Sequence, residues 1–333
     1  MTTDLDTVDR AEAPVDGVGD GAVRVRVVEV RDVSDCVRLF RLVSADDAPL
    51  SGWAPGAHLE IVLPSGLVRQ YSLCGSPAER GAYEIAVLRE PTSRGGSVEM
   101  HERIGVGDVI EVRSVRNHFK LVPAPAYLFV AGGVGITPIL PMIAAAQEQG
   151  ASWRLVYGGR SRDSMAFLDR LGAVEGVEVV PQDTDGLPDL AAEIGGADVD
   201  ALIYACGPEG LLAALEAECA AQGRGSALHL ERFGAGGDLA AEVEGDVAFE
   251  VELQRTGAVL TVPPGTSILA AVRELMDAPS SCEEGFCGSC ETRIVSGVAD
   301  HRDVVLSEDE QRENATMMIC VSRAACPRLV LDL

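Results

Sequence analysis

The chain has 333 residues, enough for two or three compact domains, each with its own core. Its 27 Lys and Arg stand against 52 Asp and Glu, a formal net charge of −25, which argues against nucleic acid and anionic lipid as partners because both would be repelled. The same acidity suits the steering of a basic redox partner, although a generally solubilising surface is the plainer reading.

Residues 1–21 are rich in Asp, Ala, Thr and Gly without an apolar period, and they read as a disordered tail. From 22 to 122 the signal is β. Val23-Arg24-Val25-Arg26-Val27 alternates, Val37 to Val43 forms a second strand, and His58 to Leu63 and Leu67 to Leu73 flank the turn Pro64-Ser65-Gly66. Tyr83 to Arg89 and Val109 to Arg113 continue the series, with one short helix near Ser97 to Ile104. Many short strands separated by turn signals predict a closed antiparallel barrel.

Two stretches of that barrel carry chemistry. Arg69-Gln70-Tyr71-Ser72-Leu73 gathers a cation, an aromatic ring and a hydroxyl at a strand end. They suit a phosphorylated planar cofactor, with Arg69 on the phosphate, Tyr71 beside the ring and Ser72 on its edge. Alone, the same residues are also an ordinary alternating strand. Arg94-Gly95-Gly96-Ser97 places a Gly turn and a hydroxyl at a helix N-terminus, which favours an anion. By itself it reads equally as a capped helix start.

No charged residue occurs from Leu121 to Gln147, a length that could span a membrane. Seven Pro and Gly residues interrupt it, from Pro123 to Pro141, and it resolves into a buried strand, a Gly loop and a helix. A soluble, cytoplasmic protein is expected.

Residues 123–233 alternate strand with helix. Tyr127 to Ala131, Trp153 to Tyr157, Val177 to Val180, Ala201 to Ala205 and Ala227 to Phe233 read as strands; Ile139 to Gln149, Met165 to Leu171 and Glu209 to Gln222 read as helices. This pattern predicts a doubly wound parallel sheet. The loop Gly132-Gly133-Val134-Gly135-Ile136-Thr137-Pro138 lacks the usual dinucleotide spacing and the Lys of a P-loop. Its glycines still allow a pyrophosphate close to the backbone. Cys206-Gly207-Pro208 ends another strand, and such strand ends are where open α/β sheets bind ligands. Either turn alone could equally be an ordinary strand-to-helix connection.

Residues 234–246 read as a linker and 247–333 as a small mixed sheet. Val247 to Leu253, Val259 to Val262, Thr292 to Val295 and Arg328 to Leu333 are its strands, and Ser267 to Met276 its helix, as in a β-grasp ferredoxin. The loop after the helix holds Cys282, Cys287 and Cys290, a C-x4-C-x2-C run followed by Cys320, which is the plant-type spacing for a 2Fe-2S cluster. Gly285 and Gly288 let the backbone curl round such a core, and Ser289 adds a possible hydroxyl donor to its sulfurs. Structural zinc would call for paired C-x2-C units, and only one is present. A disulfide framework suits small secreted domains. Cys36, Cys74, Cys206, Cys219 and Cys326 are scattered, most of them as small core residues.

Taken in order, Arg69-x-Tyr71-Ser72, Arg94 to Ser97, Gly132 to Pro138, Cys206-Gly207-Pro208, Glu231-Arg232-Phe233 and the four cysteines resemble the phthalate dioxygenase reductase family, which includes vanillate demethylase reductase subunits. The resemblance covers about residues 22 to 333 and implies FMN, NADH and a C-terminal 2Fe-2S ferredoxin domain. It implies that Arg69 and Arg94, Gly95, Gly96 and Ser97 hold the FMN phosphate, and that Tyr71 and Ser72 contact the ring system. It further implies that Gly132, Gly133, Gly135 and Thr137 bind the pyridine nucleotide together with Gly207 and Pro208. Ser72, Cys206 and Glu231 would stand at the reacting centre, with Phe233 beside the flavin. Arg160 and Arg162 leave NADPH open as donor. Arg116-Asn117-His118-Phe119 resembles a segment near the family's domain boundary and is assigned no role.

The implied function is a reductase that draws electrons from NAD(P)H and feeds a terminal oxygenase of Rieske type, with a cytochrome P450 as the alternative partner. The chain has no C-x-H or C-x2-H pair of a Rieske centre, so oxygen chemistry would occur elsewhere. A reading from a different class is a redox-responsive or metal-responsive binding module without turnover; bound flavin and NADH oxidation would separate the two.

Overall fold

Alternating residues in the N-terminal third build a barrel. On β1 (Val23–Asp32), Val25 and Val27 are buried while Arg24 and Arg26 face solvent, which is the period of two that a half-buried strand requires. With β2 (Val37–Ser44), β3 (His58–Val62), β4 (Val68–Ser72), β5 (Ala82–Leu88) and β6 (Val109–Arg116), it forms an antiparallel sheet in the order β4-β3-β6-β1-β2-β5. A bridge from Leu73 to Ile85 ties the end of β4 to β5 and closes the sheet on itself. The helix Gly96–Arg103 enters through Gly95, whose φ of 89° is the left-handed conformation that glycine tolerates. This computed structural model describes residues 22–90, 95–172, 174–233, 246–280, 282, 283, 285 and 288–333, without the side chain of Glu308. The expected tail at 1–21, the linker up to residue 245, Arg94 and Cys287 lie outside the described residues.

The second sheet is parallel throughout. Strands β7 (Ala126–Gly132), β8 (Ser152–Gly159), β9 (Val177–Pro181), β10 (Ala201–Cys206) and β11 (Leu228–Glu231) lie in the order β11-β10-β7-β8-β9. Every residue of β7 is buried, as a central strand covered on both faces demands. The order reverses between β7 and β10, and ligand crevices form at that position in open α/β sheets. The helix after β7 runs Ile136–Glu148 and begins three residues before the expected Ile139. Pro138 falls in its first turn, where no intrahelical N–H bond is lost. The stretch 121–147 thus resolves into strand, Gly turn and helix, and among the described residues no helix is long and apolar enough to cross a membrane.

The C-terminal sheet is mixed. Strands β12 (Phe249–Leu253), β13 (Ala258–Val262), β14 (Glu291–Ser296), β16 (Thr316–Met318) and β18 (Arg328–Leu331) take the order β13-β12-β18-β14-β16, with β12 and β18 parallel and the other pairs antiparallel. The short strands β15 (Ala299–Asp300) and β17 (Arg323–Ala324) pair beside it. The helix Ile268–Val272 is capped by Ser267, whose Oγ accepts from the Ala270 amide at 3.1 Å, and it buries Ile268, Leu269 and Val272 against the sheet. It is shorter than the expected Ser267–Met276.

Arg323 pins this unit together. Only 5 % exposed, it donates to the carbonyls of Thr266, Val247 and Pro263 at 2.7, 3.1 and 3.1 Å, pairs with Asp246 at 3.3 Å and lies over the Phe249 ring. Removing it leaves three carbonyls without this donor and Asp246 with Arg302, whose Nη2 lies 2.7 Å from its Oδ1. Arg323→Met should therefore cost about 2–3 kcal/mol, chiefly from the carbonyls left without a donor, and, in calorimetry, lower the C-terminal transition without moving the others. An unchanged thermogram would refute this.

Candidate functional site

The switch point of the parallel sheet is built by close contact between two loops. A Cβ placed on Gly135 would sit 2.1 Å from the Cys206 carbonyl oxygen, and one on Gly132 would sit 2.6 Å from Pro208 Cδ. Only glycine lets these strand ends meet. Gly132, Gly133, Gly135, Gly207 and Pro208 line the resulting cleft, together with Arg160, Gln182, Glu90, Arg232 and Phe233. Thr137 is buried and donates to the Val134 carbonyl at 2.9 Å, so it shapes the loop without facing the cleft. Arg162, which also bears on the choice of nucleotide, is not among the lining residues. Cys206 is fully buried behind the loop; burial, with the nearby Glu231 charge, pushes its thiol well above the usual range. Cys206 and Glu231 are register partners at the sheet edge.

A second cavity opens beside the first. It is lined by Arg69, Gln70 and Ser72 of β4, by His58 and His118, by Glu231 at the end of β11 with Arg232 and Phe233 after it, and by Cys282 and Val304 of the C-terminal unit. Arg69 lies across the start of the helix Gly96–Arg103, since a Cβ on Gly96 would fall 2.6 Å from its Cγ. The expected cation and helix N-terminus are thus adjacent, although the Ser97 hydroxyl donates back to the Glu90 carbonyl at 3.4 Å and accepts from the Glu90 amide at 3.2 Å. Tyr71 alternates away from the cavity lining, into the partly buried shell of the barrel core; burial raises its phenol. Ser72, 6 % exposed, does face the cavity.

Two polar atoms of the lining residues, His58 Nε2 and Glu231 Oε2, are buried without a hydrogen-bond partner. A buried unpaired polar atom is costly, and orphans of this kind fit the edge of a polar, planar ligand such as a flavin. Burial pushes the Glu231 carboxyl up to about 8, so it carries a proton at neutral pH. Burial, helped by His118, pulls His58 down to about 3, and burial followed by the Arg116 charge lowers His118. Both imidazoles are therefore neutral.

The cysteine loop curls through left-handed glycines at Gly285 and Gly288, φ 73° and 72°. Cys282, Cys290 and Cys320 are 6, 4 and 2 % exposed, and the Cys320 thiol lies within hydrogen-bonding reach of both others. Among the described residues no three ligating side chains close on a single ion. A two-iron cluster divides its ligands between two metals, and three buried thiols meeting beside a fourth Cys of the right spacing fit that donor set. The Ser289 hydroxyl donates to Glu60 of the barrel at 2.5 Å. His58 and Glu60 escaped the sequence reading because each is a single residue with no spacing to mark it, while Gln70 and His118 stood in quoted stretches without a role of their own.

Residues 251–325 match the 2Fe-2S iron-sulfur cluster binding domain family, and residues 129–217 the oxidoreductase NAD-binding domain family. The chain is 42% identical over 316 residues to phenoxybenzoate dioxygenase subunit beta of Ectopseudomonas oleovorans, covering 93% of this chain and 97% of that protein. A solved phthalate dioxygenase reductase, described as a modular structure for electron transfer from pyridine nucleotides to 2Fe-2S, matches with a TM-score of 0.70 at 37% identity over 94% of this chain and 98% of its own. An intact type IV self-sufficient cytochrome P450 monooxygenase matches with a TM-score of 0.85 at 38% identity over 94% of this chain; the match spans 41% of that longer protein.

The Glu231 shift has a consequence for stability. Its ordinary carboxyl value is 4.5 and its folded value about 8, so folding takes up a proton between them. The folded state therefore loses stability as pH rises through that window, and the penalty is complete above it. Glu231→Gln should be more stable than the parent by about 4 kcal/mol at pH 8.5, with the gain absent near pH 4. Urea midpoints across this range test it; a pH-independent difference would refute it.

Proposed function

Because this chain belongs to the phthalate dioxygenase reductase family, we propose that it is the reductase component of an oxygenase system, taking electrons from NADH through FMN and a 2Fe-2S cluster to a Rieske-type terminal oxygenase. One observation carries the reading: a single cavity is lined at once by Arg69 and Ser72 of the barrel, Glu231 and Phe233 of the parallel sheet, and Cys282 of the cysteine loop. The domain division proposed with it, 22–122, 123–233 and 247–333, follows the three sheets.

The bound flavin and cluster supply the conversion of a hydride donor's electron pair into single electrons. The chain's own residues hold and orient. Arg69 and the Gly95 to Ser97 turn, with Arg94, receive the flavin phosphate, while Ser72 fixes the ring side of the site and Tyr71 packs behind it against the barrel core. Gly132, Gly133 and Gly135, shaped by Thr137, make room for the nucleotide pyrophosphate with Gly207 and Pro208. Cys206 and Glu231 flank the nicotinamide side, Glu231 holding its proton at Oε up to about pH 8. Phe233 and Arg232 border both clefts and shield the space between them from water. Cys282, Cys287, Cys290 and Cys320 ligate the irons. A cytoplasmic setting belongs to this reading, since the ligating thiols must stay reduced.

A second reading, a P450 as electron acceptor, is favoured by the likeness to the self-sufficient P450 chain. Arg160 in the nucleotide cleft gives NADPH a cation for its 2′-phosphate.

Flavin extraction, iron analysis and titration with NADH and NADPH test the core of the proposal, and reconstitution with candidate oxygenases and P450s tests the partner. Cys320→Ser should lose nearly all bound iron and lower NADH-dependent cytochrome c reduction at least a hundredfold, with the flavin retained. Normal iron content in this variant, or a colourless parent protein, would sink the reading.

A further inference from the structure

The barrel grips the cysteine loop through a buried carboxylate. Glu60 on β3 is 1 % exposed, and a buried charge is tolerated only when paired and hydrogen-bonded. Its Oε2 accepts from the Ser114 hydroxyl and from Arg116 Nε at 3.2 Å, both on the neighbouring strand β6. Its Oε1 accepts from the Ser289 hydroxyl at 2.5 Å, a bond spanning 229 positions of sequence. Gln70 Nε2 of β4 donates to the same Ser289 oxygen at 3.1 Å. Burial alone would push the Glu60 carboxyl upward, but the hydroxyls of Ser114 and Ser289 and the Arg116 charge outweigh it, and the group lies below its ordinary value.

Ser289 is the residue between Gly288 and the ligand Cys290. The next contact is also with the barrel: a Cβ on Gly288 would meet the His118 ring at 3.1 Å, so the loop backbone lies against that imidazole. His118 in turn stacks on His58 with ring centroids 5.8 Å apart, and both rings line the cavity that Ser72 and Cys282 share. The loop is therefore held at the wall of the cavity by one strong clasp and one close surface contact.

We propose that Glu60 is a positioning residue, whose grip on Ser289 sets the cysteine loop at a fixed separation from the flavin cavity. The inference rests on the proposed function and adds to it the element that fixes the geometry of the second electron-transfer step. A supporting shell left about 1 Å loose is enough to disable a site, and transfer between two centres falls steeply with their separation.

The test uses the full-length holoprotein in stopped-flow mixing with NADH, reading flavin and cluster absorbance separately. Glu60→Ala and Ser289→Ala should leave flavin reduction within about twofold of the parent and slow cluster reduction at least tenfold. Because Ser289→Ala removes the Glu60 bond and the Gln70 bond together, the double variant should be no slower than Ser289→Ala alone. Glu60→Gln keeps an acceptor oxygen and should recover most of the rate. Amides of residues 288–291 should exchange hydrogen faster in the two alanine variants, a readout independent of turnover. If Ser289→Ala loses iron, Glu60→Ala, which leaves the loop sequence intact, carries the test. Parental cluster reduction in Glu60→Ala, multiplicative effects in the double variant, or loss of iron in Glu60→Ala would each overturn the proposal. A parent protein whose cluster is never reduced by NADH would instead sink the functional reading.

Discussion

Three sheets of different construction deliver their edges to one cavity, and the chemistry of the chain depends on that meeting. Strand β4 brings Arg69 and Ser72, the end of β11 brings Glu231, and the cysteine loop brings Cys282. Each sheet could fold round its own core, since the apolar clusters of the barrel and the C-terminal sheet are separate. The parallel sheet differs: one of its two apolar faces also takes in Val37, Leu39 and Ala86 of the barrel. Barrel and parallel sheet are thus joined by continuous hydrophobic packing, whereas the cysteine loop meets the barrel through polar contacts at Glu60, Gln70 and Ser289. Apolar burial is non-directional, but a clasp of hydrogen bonds fixes a register.

Glu60 and Glu231 show how environment divides one residue type into two roles. Both are withdrawn from water, yet Glu60 is saturated by two hydroxyls and an arginine and stays ionised, while Glu231 has an orphaned oxygen and keeps its proton. Hydrogen bonds to the charged form favour ionisation, and burial without them opposes it. A permanently charged group suits a structural clasp. A carboxyl that titrates near neutrality, set at a sheet edge beside Cys206, suits a site where ligands come and go.

Much of this was legible in the sequence. The alternation of Val25 and Val27 with Arg24 and Arg26 marks the barrel strand, and the apolar run Tyr127 to Ala131 marks the centre of the parallel sheet. Gly135 and Gly207 announce the crevice because backbone approaches so close exclude every side chain. The short helices Gln182–Asp185 and Leu190–Gly196 passed unread, since one or two turns are too brief for a helical period to show. The helix Ile268–Val272 was read too long at its C-terminal end, where tertiary packing and not local propensity sets the boundary.

The sequence by itself determined the cysteine spacing, the order of the three units and the glycine-lined turns, because each is written in residues close together along the chain and constrained by backbone geometry. Only the tertiary structure decided that Tyr71 turns from the cavity Ser72 faces, that Ser289 bonds a barrel carboxylate, and that His58 and His118 stack at the cavity wall. Those contacts join residues as much as 229 positions apart. No local pattern encodes such a pairing; it exists only once separate hydrophobic cores have folded and brought their polar edges within hydrogen-bonding distance.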